Sequence, residues 1–404
     1  MSSVRLPRLG ARRLLPLLGV ALVVAGCRDT PEAPSELAAP DLHDANDRPD
    51  ATHPVVQGRE IFRHDTYGDE QFWTDTLRLH EVIAAAVDPI TALGVGLKVD
   101  ADALPPGILD EVDLTDPATT VALLSLGAVL GVQGTVSDDG ELQAVGITCA
   151  LCHSTVDNSV APGIGGRLDG WPNRDLDVGA IVALSPALSD EARAVFNSWG
   201  RGRYDAYFNL DGINDPVLIP PAYGLSDVAR ETYTGEGPVS YWNAYVAVTQ
   251  MHGQGSFRDP RLGIDIRQEP DLVKEKLLPL RLYQFSLEPP PPPPGSFDPE
   301  AAARGRAVFA GHGRCAECHI PPMFTDAPAL HAPEETGMDP VLASRGHTGG
   351  YRTTPLRGAW QHPPYFHDGR AATFGEVVDH YDGVLSLGLS ADEKVDLVEY
   401  LKSL

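Results

Sequence analysis

Two pentapeptides carry the chemistry that residue type and spacing can specify. Cys149-Ala150-Leu151-Cys152-His153 and Cys315-Ala316-Glu317-Cys318-His319 each place two thiols three positions apart, with an imidazole directly after the second. Thiols at this spacing reach both vinyl groups of a haem as thioethers, and the adjacent histidine supplies an axial ligand to the iron. A CxxC pair by itself also serves as a zinc half-site or a redox dithiol, but neither use accounts for His153 and His319. The chain holds five cysteines, and the fifth is Cys27, so no pair remains for a structural disulfide. The expectation is two covalently bound haem c groups per chain.

The sixth ligand decides what each iron does, because a saturated iron relays electrons whereas an open one binds peroxide or oxygen. In a simple cytochrome c domain a methionine arrives from the loop ahead of the last helix. Here the last methionine is Met338, only 19 residues after His319, so that source is excluded. The groups left near the end are His380 and Tyr381, with His347, His362 and His367 upstream.

These sites need elements to hold them, and the chain divides accordingly. Six prolines, Pro289 to Pro294, favour a stiff polyproline segment, read as a linker over 289–296. It separates an N-terminal haem domain, 54–288, from a C-terminal cytochrome c domain, 297–404. Gly58-Arg59-Glu60-Ile61-Phe62 resembles Gly305-Arg306-Ala307-Val308-Phe309, each suited to the helix that opens such a domain. Asp298 with Pro299 is a helix start, and Ser390-Ala391-Asp392-Glu393 is a capping box ahead of an apolar stripe at Val395, Val398 and Leu401. That terminal helix is expected to pack across the opening helix of its domain. Some ninety residues separate Phe62 from Cys149, a large insertion that reads as mostly helical from Leu77, Leu79, Val82, Ile83 and the run Val121 to Val129. Asp138-Asp139-Gly140 predicts a tight turn between short strands. The fold class is mainly α, in two cytochrome c-like domains.

With 31 basic against 56 acidic residues the formal charge is −25, which repels nucleic acid and anionic headgroups and could steer a basic electron donor. Arg5, Arg8, Arg12 and Arg13 precede an apolar run from Leu14 to Val24, the layout of an export signal and too short for a membrane span. Val24-Ala25-Gly26-Cys27 resembles a bacterial lipobox, with valine in place of the usual leucine, so Cys27 is the candidate lipidation site. Residues 28–53 are rich in Pro, Ala and Asp and read as a disordered tether. The expected location is periplasmic, attached to a membrane only through that lipid.

Tyr351-Arg352-Thr353-Thr354-Pro355-Leu356-Arg357-Gly358, Pro364-Tyr365-Phe366-His367-Asp368-Gly369 and Ala372-Thr373-Phe374-Gly375-Glu376-Val377-Val378 together resemble the bacterial di-haem cytochrome c peroxidases and their MauG branch. The resemblance covers roughly residues 300–404. It implies a distal ligand to the C-terminal haem 14 residues after the motif histidine, Met in the peroxidases and Tyr in MauG; counting from His367 reaches Tyr381. It also implies that His367 lies close to that haem, and Arg357 is the candidate partner of a propionate. Tyr241-Trp242-Asn243 is similar to the family's Phe-Trp-Asp, which makes Trp242 the candidate bridge between haems. The family's distal acid and amide have no clear counterpart; Gln250 and His252 lie in that neighbourhood, with Met251 or His252 as the alternative sixth ligand. An interdomain calcium ion of the family uses a threonine two residues before the motif proline. His362 stands there, and calcium prefers oxygen ligands, which speaks against the site. The function implied is reduction of hydrogen peroxide with electrons from a small cytochrome or cupredoxin, or oxidation of a protein substrate. The alternative is an electron-transfer cytochrome with both haems six-coordinate.

Overall fold

A computed structural model describes residues 53–404. The expected export signal, Cys27 and all but the last residue of the 28–53 tether lie outside them. The described chain is mainly helical, and its strands form five two-stranded pairings. α1 (Pro54–His64) opens on a proline behind a His53 cap. α2 (Leu79–Ala86) and α3 (Pro117–Ser125) follow, then an antiparallel hairpin of β1 (Val132–Val136) and β2 (Leu142–Ile147). A single helical turn, α4 (Ala150–His153), carries most of the first pentapeptide. Later come α5 (Val239–Tyr245), α6 (Leu277–Phe285), α7 (Pro299–Ala310), α8 (Pro340–Arg345), α9 (Phe374–Leu385) and α10 (Ala391–Lys402).

Local signals account for the element ends. Asp298 accepts from the Glu300 and Ala301 amides at the start of α7, and the reciprocal Ser390–Glu393 box starts α10. The helical expectation for the insertion holds over α2 and α3 but not at Ala128 and Val129. Gly127 turns the chain out of α3 at φ 64°, a conformation glycine adopts without strain, and Val129 then bridges to Val99. The Asp138-Asp139-Gly140 turn joins β1 to β2 with Gly140 at φ 87°. From β2 the chain runs through Thr148 into the first pentapeptide. The Thr148 hydroxyl donates to the Arg63 carbonyl at 3.1 Å, tying that pentapeptide to the end of α1.

The weak sequence repeat becomes a repeated helix crossing. α1 lies against α6 at Gly58, where a Cβ would stand 1.9 Å from the Pro279 carbonyl oxygen and 2.7 Å from Tyr283 Cβ. α7 lies against α10 at Gly305, where a Cβ would stand 1.9 Å from the Asp396 carbonyl oxygen and 2.9 Å from Tyr400 Cβ. One turn further along each helix, Phe62 meets Tyr283 edge-on at 5.5 Å and Phe309 meets Tyr400 edge-on at 5.2 Å. Both crossings use the same device: a bare glycine lets the backbones touch, and an aromatic pair one turn on fills the space beside them. Each crossing precedes or encloses one pentapeptide.

Residues from before and after the polyproline stretch share a core. Tyr207, Tyr245, Met251 and Phe257 pack in one apolar cluster with Leu342, Ala343 and Tyr351. The buried Arg345 of α8 donates to both Asp205 and Asp211 at 2.8 Å. The polyproline stretch is packed rather than free: the Pro290 carbonyl accepts from Trp360 Nε1 at 3.1 Å, and Pro289 lies against Gly224.

Asp69 is fully buried beside β2, where its carboxyl receives the Ile147 N–H at 3.2 Å. Desolvation pushes its pKa up to about 9. The folded chain therefore keeps a proton that the unfolded chain releases near pH 4, and stability falls as pH rises from there toward 9. Asp69→Asn is expected to gain about 1–2 kcal/mol at pH 8 and little at pH 4, read from urea midpoints at the two pH values.

Candidate haem sites

Both pentapeptides open onto one cavity of about 630 Å³ with a mainly apolar lining. Its walls include Cys149, Cys152 and His153 as well as Cys315, Cys318 and His319. This volume falls within the range of cofactor sites. Among the described residues the four cysteines are free thiols. Burial pushes Cys149 and Cys152 up to about 12 and Cys315 up to about 11.

The two histidines are oriented in the same way. His153 Nδ1 lies 3.1 Å from the Pro220 carbonyl oxygen, and His319 Nδ1 lies 3.0 Å from that of Phe324. A carbonyl only accepts, so Nδ1 carries the proton in each ring and Nε2 keeps its lone pair for a metal. Desolvation reinforces the neutral form, pulling His153 down to about 4 and His319 below its usual value.

Tyr381 and His380 are neighbours on α9 and face different surroundings. The Tyr381 ring lines the cavity near Cys315 and Cys318, and burial pushes its phenol up to about 12. His380 is absent from the cavity wall, and its Nε2 donates to the Thr336 carbonyl at 2.8 Å, which leaves that nitrogen no lone pair for a metal. His367 is buried in the cavity wall, stacked on Tyr351 at 5.0 Å, with its imidazole pulled down by desolvation. Arg357 lines the same cavity.

On the N-terminal side, α5 continues into a wide π turn (Val246–Gln250) that delivers Gln250, Met251 and His252 to the wall. The Gln250 amide is occupied: its oxygen accepts from the Tyr204 hydroxyl at 2.9 Å and its nitrogen donates to Thr249 Oγ1 at 2.8 Å. Met251 packs in the shared core, and its carbonyl accepts from Trp73 Nε1. The His252 imidazole, stacked on Phe72 at 3.7 Å, makes no hydrogen bond among the described residues. Trp242 also lines the cavity, and its indole Nε1 is buried without a partner among the described residues.

His362 is buried in the wall with its imidazole pulled down to about 3. Among the described residues one grouping of three metal-ligating side chains occurs, Cys318, Asp326 and His331. It includes a pentapeptide thiol, and its His331 and Asp326 already pair at 2.8 Å, so it does not fit calcium. The cavity wall also contains Arg174, Tyr233 and Glu231, none marked by spacing or motif; Glu231 pairs at 2.8 Å with Arg352 of the Tyr351–Gly358 stretch. Glu231 is pushed up to about 7 by burial.

No protein-family model matches the chain, and no curated protein matches it. Among solved structures, a MauG-like protein associated with microbial copper homeostasis is 19% identical with a TM-score of 0.34, over 48% of this chain and 74% of that one. A hydrazine synthase of Kuenenia stuttgartiensis is 18% identical with a TM-score of 0.32, over 47% of this chain and 73% of that one.

Proposed function

We propose that the chain is an exported di-haem c-type oxidoreductase, with one haem attached at Cys149 and Cys152 and the other at Cys315 and Cys318. One observation carries this reading: two CxxCH histidines, each with Nδ1 on a backbone carbonyl and Nε2 free, face one apolar cavity. Haem bound there supplies one-electron redox chemistry and, at an open axial position, activation of peroxide.

The chain's own groups divide the work. His153 and His319 would hold the two irons through Nε2, and the apolar walls would exclude water from the site. Tyr381 would hold the iron of the C-terminal haem from the cavity wall, where an oxygen donor would favour the ferric state and lower the reduction potential. His252 is the group that holds or moves a proton at the N-terminal site, since its ring nitrogens are uncommitted. Trp242 lies on the electron path between the sites. The acidic surface favours a basic small redox protein as donor, and Cys27 supplies the lipid anchor in the periplasm.

Electron paramagnetic resonance of the oxidised protein, with and without peroxide, tests the assignment. A high-spin ferric signal that responds to peroxide, together with peroxide turnover, is the expected outcome. The uncommitted His252 imidazole also supports a second reading, ligation of the N-terminal iron and a purely electron-transferring protein; low-spin spectra without turnover would establish it. Tyr381→Phe is expected to change the absorption spectrum of one haem and leave the other intact. An unchanged spectrum removes Tyr381 from the ligand set.

A further inference from the structure

One buried guanidinium in the cavity wall has donors that the protein does not use. Asn173 anchors the backbone just before it, donating Nδ2 to the Gly96 carbonyl and its N–H to the Cys152 carbonyl, both at 2.9 Å. From that anchor on the first pentapeptide, Arg174 extends into the cavity, and its Nη2 donates to the His362 carbonyl at 3.2 Å. Nε and Nη1 are buried and without a partner among the described residues.

The surroundings offer this cation no counter-charge. The phenols beside it, Tyr233 and Tyr223, donate to the Leu218 and Gly358 carbonyls; their oxygens can still accept from the guanidinium, but neither brings a negative charge. His362 is neutral, Arg203 is a second cation, and the nearby carboxylate Glu231 is paired with Arg352. Burial lowers Arg174 from its usual value, yet a guanidinium keeps its proton in a protein. An uncompensated buried charge is strongly unfavourable, so the position calls for anionic acceptors. Nε and Nη1 lie on different edges of the guanidinium, which suits two separate acceptors better than one bidentate carboxylate.

We propose that Arg174 is the fixed internal cation of this seam, its free Nε and Nη1 taking propionate carboxylates of the haems, so that an arginine rather than a divalent ion joins the two halves. The inference rests on the di-haem reading. It also gives His362 a sense: its backbone carbonyl holds the guanidinium, and no oxygen-bearing side chain is required there. A permanent positive charge at this point repels a second cation.

The test uses the full-length protein, with two haem increments first verified by mass; a chain lacking them ends the di-haem reading and not this inference alone. Reduction potentials and ferric spectra are then measured for the wild type, Arg174→Gln and Arg174→Lys, each with and without a calcium chelator. Loss of the charge in Arg174→Gln is expected to disfavour the ferrous state of at least one haem about tenfold, ~59 mV for one electron. Arg174→Lys is expected to recover most of that shift, and the chelator to change nothing. Unshifted potentials in a fully haem-loaded Arg174→Gln protein overturn the proposal. So does a wild-type spectrum that changes on chelation and returns with calcium. If Arg174→Gln fails to accumulate with both haems, the wild-type chelator measurement decides.

Discussion

Serine at Cys149, Cys152, Cys315 and Cys318 together is expected to leave a chain without a cooperative thermal transition at or above 25 °C. The reason is the size of the space that both pentapeptides line. At about 24 cal/mol per Å³ of unfilled apolar volume, a cavity of about 630 Å³ would cost ~15 kcal/mol as an upper limit. The net stability of a folded domain is only about 5–15 kcal/mol. Water could enter, but the lining groups, among them Leu77, Leu151, Val246, Phe309, Leu397 and Leu401, give it few partners. Collapse onto the cavity would in turn break the helix crossings that position its walls. The expected product keeps helical far-ultraviolet dichroism and loses near-ultraviolet fine structure, as a molten state does. A sharp transition within a few degrees of the haem-loaded protein would refute the view that a bound group forms the core.

Alanine at Gly305 or at Gly58 is expected to destabilise the protein by about 3 kcal/mol or more, although alanine is the better helix former by about 1 kcal/mol. In both places the added carbon would lie 1.9 Å from a carbonyl oxygen of the crossing helix. Backbone atoms cannot rotate aside, so the two helices must part, and the Phe309–Tyr400 or Phe62–Tyr283 contact opens with them. Gly383 on α9 provides the control, because a Cβ there meets nothing within 4 Å. Alanine at Gly383 should leave stability unchanged or raise it by up to about 1 kcal/mol. Urea midpoints for the three variants, measured on protein with its haem content verified, separate a tight crossing from a general effect on helix propensity. Equal midpoints for the Gly305 and Gly383 variants would remove the crossing as a stabilising device.

The repeat itself shows how far the sequence could be read. Gly58-to-Phe62 and Gly305-to-Phe309 are recognisable as copies, and the caps at Asp298 and Ser390 place the second pair of helices to the residue. The partner of the first copy is less visible, because α6 starts without a side-chain cap and carries Pro279 inside its first turn. The insertion shows a related limit. Leu123, Leu124, Ala128 and Val129 form one apolar run, yet a helix claims the first two and a bridge to Val99 the last. A turn at one glycine separates these states, and apolar periodicity over so few residues does not register it.

By itself the sequence determined what depends on bonded neighbours: two thiols and an imidazole at haem-attachment spacing, the helix starts, the hairpin turn before the first pentapeptide and the acidic charge. These are short-range properties, set within a few residues of chain. Only the tertiary structure decided which of two adjacent side chains on α9 looks into the cavity, since a rotation of about 100° per residue turns Tyr381 inward and His380 toward Thr336. It alone brought Pro220 to His153 and Arg174 to His362, across 67 and 188 residues of chain. Contacts at such separations follow from how helices dock, and no local pattern of residue types encodes the docking.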